Sequence, residues 1–118
     1  MLEKPDLDLL YADERERGLA LGQLLSACAA LERWQELALS SNDLSGEERH
    51  ALSDSLGPWD TVESKLRRWA SLFDDEICAV LESRNRVVHG LRLGDKELRG
   101  AVWLAQNLLQ LINPVDVA

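Results

Sequence analysis

The segment Arg84-Asn85-Arg86-Val87-Val88-His89 carries the side chains of this chain best suited to acid–base chemistry. Four helical residues turn the chain by only about 40° beyond a full circle, so Asn85 and His89 share a helix face. His89 directly precedes Gly90, which predicts that its ring lies at a helix end beside exposed carbonyl groups. Histidine titrates near neutral pH, so His89 could act as a general base or a general acid.

Arg84 occupies an unusual place, because it continues an apolar stripe formed by Ile77, Leu81 and Val88. A guanidinium on a buried stripe is costly unless it is paired. The pattern therefore predicts that Arg84 has an acidic partner, faces a cavity or lies at an interface with another chain. From the residues alone, a structural role is favoured, with His89 as a helix cap and Arg84 in an internal salt bridge.

The first half of the chain is predicted to hold two helices that carry no distinctive motif. Apolar residues at three- and four-residue spacing, opened by a capping pattern at Asp13, predict a long helix over Asp13–Leu39. A second capping box at Ser45-Gly46-Glu47-Glu48 predicts a short polar helix to about Leu56. Gly57-Pro58 should end it.

The second half of the chain is also predicted to be helical, and it contains the segment from Arg84 to His89. Asp60 should open a helix, and Asp74-Asp75-Glu76 marks either a fresh start or a bend. Asp95 should cap a last helix that Asn113-Pro114 terminates. The buried stripe of the third helix is predicted as Val62, Leu66, Trp69, Ala70 and Phe73. The prediction is an all-α antiparallel bundle of four to five helices in a single domain, 1–118, with 1–12 as a lead-in whose order is open.

Composition narrows the class of protein. The N-terminus lacks a signal peptide pattern, and no apolar run is long enough to span a bilayer, so we expect a cytoplasmic chain without a membrane partner. Cys28 and Cys78 fit reduced core thiols, and neither they nor His50, on a charged helix face, predicts a metal site or a cofactor. The four tryptophans are expected as core or interface anchors.

Charge is distributed unevenly along the chain. The net charge of −8 argues against non-specific binding of polyanions over the whole surface. Residues 1–64 hold 5 Lys/Arg and 14 Asp/Glu, whereas residues 65–118 hold 8 and 7, with the basic side chains concentrated between Arg84 and Arg99. An RNA-contacting face is therefore expected near Arg86 and Arg92, and the acidic half could instead meet a basic protein. DNA binding is not expected, since no helix-turn-helix pattern or strongly basic helix is present.

The string from Glu82 to Gly90, followed by a short loop and a Leu/Ala-rich helix, resembles the HEPN superfamily. That family places Arg, a polar residue, about three further residues and then His at the end of one bundle helix. The resemblance covers about residues 74–112 and implies a metal-independent endoribonuclease, often a toxin or defence effector. It implies that His89 transfers the proton, Arg84 stabilises charge on phosphorus, and Asn85 orients the backbone or His89.

The resemblance further implies a homodimer with two motifs across one cleft, in which the stripe bearing Arg84 forms the dimer seam. A toxin branch of the family has Tyr two residues after the His, where this chain has Leu91. Regulation through that Tyr by an antitoxin partner therefore does not carry over. Two alternatives remain open: a non-catalytic HEPN-like module that binds a protein partner or dimerises, and a helical regulator unrelated to HEPN.

Overall fold

The computed structural model describes residues 4–40, 43–56 and 59–112. Within these ranges the chain forms five helices and no strand, which confirms the predicted all-α bundle. The helices are α1 (Glu14–Leu39), α2 (Gly46–Leu56), α3 (Trp59–Leu72), α4 (Asp74–Val88) and α5 (Asp95–Ile112). In this part of the chain, no helix combines the length and apolar character needed to cross a membrane.

The core lies where α1 packs against α5, α3 and α4, while α2 packs on α3. Each fully buried leucine contributes roughly 2 kcal/mol to the stability of the fold. The indole N–H of Trp69 donates to the carbonyl oxygen of Leu108 at 3.0 Å, so burial of this side chain leaves no unsatisfied donor. The largest fully buried side chains are Leu24, Leu31, Leu66, Ile77, Leu93, Leu98 and Leu108.

The first two helices begin where their capping patterns predicted. The Oδ1 of Asp13 accepts the Glu16 N–H at 2.8 Å, and Glu16 Oε2 accepts the Ala12 N–H at 3.0 Å. At the start of α2, Ser45 Oγ accepts the Glu48 N–H at 3.1 Å, and Glu48 Oε1 accepts the Ser45 N–H at 3.4 Å. Both starts are therefore confirmed, because the side chains of Asp13 and Ser45 each accept a first-turn N–H that a helix leaves unpaired.

The break between α3 and α4 is a fresh helix start. Only Phe73 separates the two helices, and its N–H still donates to the Trp69 carbonyl oxygen at 3.0 Å. Of the predicted stripe of α3, Val62, Leu66 and Trp69 are buried, and Ala70 and Phe73 are partly buried. α3 begins at Trp59, one residue before the predicted Asp60. The predicted stops at Gly57-Pro58 and Asn113-Pro114, and the side chain of Trp59, lie outside what the structure describes.

An ion pair with a buried arginine and a partly exposed carboxylate joins the first turns of α1 and α5. Arg17 is only 4% exposed, and its Nη1 lies 2.5 Å from Asp95 Oδ1 while its Nη2 donates to the Leu93 carbonyl oxygen. The other Asp95 oxygen accepts the Tyr11 N–H at 2.9 Å. The prediction that Asp95 precedes α5 as its cap is wrong, since Asp95 is the first helical residue and its carboxylate binds Arg17 and Tyr11.

The segment before α1 lies against α5. The guanidinium of Arg99 donates to the carbonyl oxygens of Leu9 at 2.6 Å and Leu10 at 3.1 Å. It also lies over the ring of Tyr11, 4.2 Å from the centroid. Within the described residues 4–12, this lead-in is thus tied to the bundle by hydrogen bonds and a cation–π contact.

Candidate functional site

The candidate site lies where α4 ends. His89 is the C-cap residue, and Gly90 follows with a φ of +82°, a conformation that favours glycine. The Gly90 N–H donates to the Val87 carbonyl oxygen at 3.0 Å, and the Leu91 N–H donates to the Arg86 carbonyl oxygen at 2.9 Å. These two bonds form a Schellman motif, so the predicted stop at Gly90 and the place of His89 at a helix end are confirmed.

Arg84 is held from two sides. Its Nε donates to Asn85 Oδ1 at 3.0 Å, and its Nη1 pairs with Glu32 Oε1 of α1. The Arg84 side chain is 22% exposed. Of the three predicted explanations for this arginine, an acidic partner is therefore the one found. Glu32 was not singled out by sequence analysis, because it lies 52 residues from Arg84 and no local pattern connects them.

Asn85 and His89 are both exposed on the end of α4. The Asn85 carbonyl oxygen accepts the His89 backbone N–H at 3.0 Å, which sets the two residues one helical turn apart. Asn85 places its side-chain oxygen on Arg84, and within the described part of the chain no hydrogen bond reaches the His89 imidazole. The structure thus joins the side chains of Arg84 and Asn85, and leaves the His89 ring open to solvent.

The apolar stripe of α4 leaves the core as it approaches the motif. Ile77 is fully buried, Leu81 is partly buried, and Val88 is 66% exposed. The prediction that the whole stripe forms a dimer seam is wrong for Ile77, which belongs to the core of a single chain. Only the far end of the stripe is accessible, where Val88 and the 57% exposed Leu91 stand on either side of His89 in the chain.

The basic side chains near His89 are paired with carboxylates. Arg86 Nη1 lies 2.9 Å from Glu97 Oε2, and Arg92 Nη2 lies 3.0 Å from Glu14 Oε1. The expected RNA-contacting face at Arg86 and Arg92 is therefore balanced by negative charge in the isolated chain. The acidic N-terminal half supplies part of that balance through Glu14 and Glu32.

The remaining candidates contribute no chemistry at this site. His50 is an exposed residue of α2, 3.7 Å from Asp54, as a charged helix face predicts. Cys28 is buried, and burial raises the pKa of its thiol to about 11 despite the opposing charge of Arg84. The prediction of a core thiol is wrong for Cys78, which is exposed. Among the described residues, no group of His, Cys, Asp and Glu side chains is arranged to hold a metal ion.

No protein-family model matches this chain, and no curated protein or solved structure is significantly similar to it. A relation to the HEPN superfamily therefore depends on the motif at the end of α4.

Proposed function

We propose that this chain is a HEPN-like, metal-independent endoribonuclease that uses Arg84, Asn85 and His89. The observation that supports the proposal is the exposed His89 ring at the end of α4, one turn from an asparagine that fixes the guanidinium of Arg84. An exposed imidazole can reach a ribose hydroxyl without any rearrangement of the bundle. As the resemblance implies, such an enzyme would act in the cytoplasm as a toxin or defence effector.

In the proposed reaction, His89 accepts the proton of a ribose 2′-hydroxyl while that oxygen attacks the adjacent phosphorus. The bond from phosphorus to the 5′-oxygen breaks, and the leaving oxygen takes a proton from an acid. The products are a 2′,3′-cyclic phosphate and a 5′-hydroxyl. A single imidazole cannot be base and acid in one concerted step, so His89 of a second copy is the natural acid.

Arg84 would stabilise the negative charge that develops on the phosphorane oxygens. Its Nε and Nη1 are engaged by Asn85 and Glu32, and the described residues offer Nη2 no hydrogen bond. Because the guanidinium is held at Nε and Nη1, its Nη2 can receive a phosphate oxygen with little reorganisation. In this proposal Asn85 orients Arg84, whereas the resemblance implies that it orients the backbone or His89.

A homodimer would bring two such sites together. Val88 and Leu91 are exposed apolar side chains next to His89, and burying them against a second copy would be favourable by roughly 2 kcal/mol per side chain. Their position supports a dimer interface that includes the site. A partner protein such as an antitoxin would have to cover the same end of α4 to inhibit cleavage.

The test is cleavage of an end-labelled single-stranded RNA in the presence of EDTA, with analysis of the product ends. We expect His89→Ala and Arg84→Ala to reduce the cleavage rate by about 100-fold or more, the usual contribution of an acid–base or charge-stabilising group. Asn85→Ala should give a smaller loss, since it removes one bond to Arg84 but leaves the guanidinium itself in place.

His50→Ala is the matched control, because it removes the other histidine of the chain from an exposed helix face. Its cleavage rate should equal that of the wild type. A folded wild-type protein that leaves RNA intact, or cleavage that persists in His89→Ala, would contradict the proposal.

A second candidate function is a non-catalytic HEPN-like module for protein interaction or dimerisation. The Arg84–Glu32 pair favours it, because an internal ion pair is what a purely structural arginine requires. The exposed His89 ring counts against it. In this case Val88→Asp and Leu91→Asp would abolish self-association measured by sedimentation, while His89→Ala would leave self-association unchanged.

A further inference from the structure

The basic side chains between residues 84 and 99 all have carboxylate partners on another element of the fold. Five ion pairs join them to acidic residues, with nitrogen–oxygen distances of at most 3.8 Å. The pairs are Arg84–Glu32, Arg86–Glu97, Arg92–Glu14, Lys96–Asp8 and Arg99–Glu16. A stretch that reads as basic in the sequence is thus masked by acidic side chains in the folded chain.

Three of these pairs involve arginines within five residues of His89 in the chain, and their carboxylates come from separate places. Glu32 and Glu14 lie in α1, and Glu97 lies in α5. Each of the three pairs is partly exposed to solvent. Exposed pairs of this kind are weak and exchange readily with ions from solution.

We propose that Glu14, Glu32 and Glu97 are built-in competitors that occupy the phosphate-binding arginines until an RNA strand displaces them. The chemistry supports this assignment, because a phosphodiester oxygen and a carboxylate oxygen make the same charge-assisted bonds to a guanidinium. An RNA strand that presents several phosphates in register replaces several carboxylates together. Isolated anions, by contrast, replace them one at a time and gain less.

This inference deepens the proposed function, since it assigns a regulation to the site around His89. It also accounts for how a chain of net charge −8 could accept RNA at one place while its surface as a whole repels polyanions. The strand exchanges partners with arginines that are already assembled, so no long-range attraction is needed.

Glutamine in place of each glutamate separates charge from shape. The amide oxygen still accepts a hydrogen bond from the guanidinium, but it no longer neutralises the charge of the arginine, so that binding of a phosphate there releases a counterion of the RNA. Removing the built-in competitor should therefore tighten binding and make it more dependent on salt, by about 0.7 in the logarithmic slope for each additional phosphate contact.

The experiment measures binding of a fluorescent single-stranded 2′-O-methyl RNA, which lacks the attacking hydroxyl, at salt concentrations from roughly 50 to 200 mM. The variants are Glu32→Gln, Glu97→Gln, Glu14→Gln and the triple substitution. We expect the triple variant to bind about tenfold more tightly than the wild type at the lowest salt and to show the steepest salt dependence. Circular dichroism confirms that each variant is folded.

The matched control is a second triple variant, Glu36→Gln, Glu47→Gln and Glu76→Gln, which changes the net charge by the same amount. These exposed glutamates have no arginine partner among the described residues. Their variant should bind RNA within about twofold of the wild type. Equal tightening in both triple variants would assign the effect to overall charge and overturn the inference, as would unchanged binding in both.

Cleavage of unmodified RNA by the same proteins separates this inference from the proposed function. If the triple variant binds RNA more tightly but no protein cleaves it, the ribonuclease proposal is contradicted and the masking of a strand-binding surface is supported. If the wild type cleaves RNA but Glu32→Gln, Glu97→Gln and Glu14→Gln do not bind it more tightly, only the masking is contradicted. A protein that neither binds nor cleaves RNA would overturn both.

Discussion

Two of the arginine–carboxylate pairs that link α1 to the C-terminal part of the chain differ in burial. Arg17 is 4% exposed and binds both Asp95 and the Leu93 carbonyl oxygen. Arg84 is 22% exposed and binds Glu32 and the side chain of its neighbour Asn85. The first pair lies at the junction of α1, α5 and the lead-in, and the second lies beside the candidate site.

The difference shows how the same chemistry serves two purposes. A buried guanidinium that loses its partner leaves an uncompensated charge and an unpaired carbonyl group, so the Arg17 pair cannot open without loss of stability. A partly exposed guanidinium can exchange its carboxylate for water or an anion at little cost. The Arg17 pair is therefore suited to stabilise the fold, and the Arg84 pair is suited to bind a ligand.

The largest expected effect is on stability at the buried pair. Arg17→Met should lower the free energy of unfolding by about 3 kcal/mol, because Asp95 and the Leu93 carbonyl oxygen lose their donor. Urea denaturation measures the change. Arg15→Met, on an exposed position of the same helix turn, should remain within about 0.5 kcal/mol of the wild type. If Arg17→Met loses no more stability than Arg15→Met, the Arg17 pair does not stabilise the fold as proposed.

The next effect concerns the turn that presents His89. Gly90→Ala should cost about 1–2 kcal/mol, because an L-residue at a φ of +82° is strained although no atom obstructs the new methyl group. Gly18→Ala in α1 is the control with the opposite sign, since helical alanine is favoured over glycine by about 0.8–1.0 kcal/mol and that position also has open space. Thermal unfolding of both variants tests these two predictions. A stabilising Gly90→Ala would show that Gly90 does not adopt a positive φ.

A smaller effect is expected at the exposed pair. A double-mutant cycle of Arg84→Ala and Glu32→Ala should give a coupling energy of about 0.5 kcal/mol, as is usual for partly exposed ion pairs. The corresponding cycle of Arg17→Ala and Asp95→Ala should give a several-fold larger value. Chemical denaturation of the six variants and the wild type provides both numbers, and equal coupling energies would contradict the proposed exchange of Glu32 for phosphate.

The smallest effect is a pH dependence at the buried pair. The Tyr11 N–H, and then the Arg17 guanidinium, hold the pKa of Asp95 below its usual value. A carboxyl with a lowered folded-state pKa stabilises the fold above its unfolded pKa, about 3.9, and that contribution is lost as pH falls through the folded pKa. The stability difference between the wild type and Asp95→Asn should therefore be constant above roughly pH 5 and shrink as the solution is acidified below roughly pH 4. A difference that stays constant into acid would show that Asp95 is not ionised in this role.

Local features were predictable from the sequence wherever neighbouring residues decide them. The capping boxes at Asp13 and Ser45 and the glycine at position 90 act within one turn, so the starts of α1 and α2 and the end of α4 follow from short patterns. The spacing of apolar residues likewise predicted the buried stripe of α3. The position of His89 at a helix end belongs to this group.

Only the tertiary structure decided which charges meet and which apolar residues stay outside. Asp95 is of a residue type that favours helix caps, but its carboxylate binds Arg17, which is 78 residues earlier in the chain. Periodicity placed Val88 and Ile77 on one stripe, yet only Ile77 lies under another helix. The pairing of Arg84 with Glu32 depends on how α1 crosses α4, because ion pairs are selected by distance in space and carry no local sequence signal.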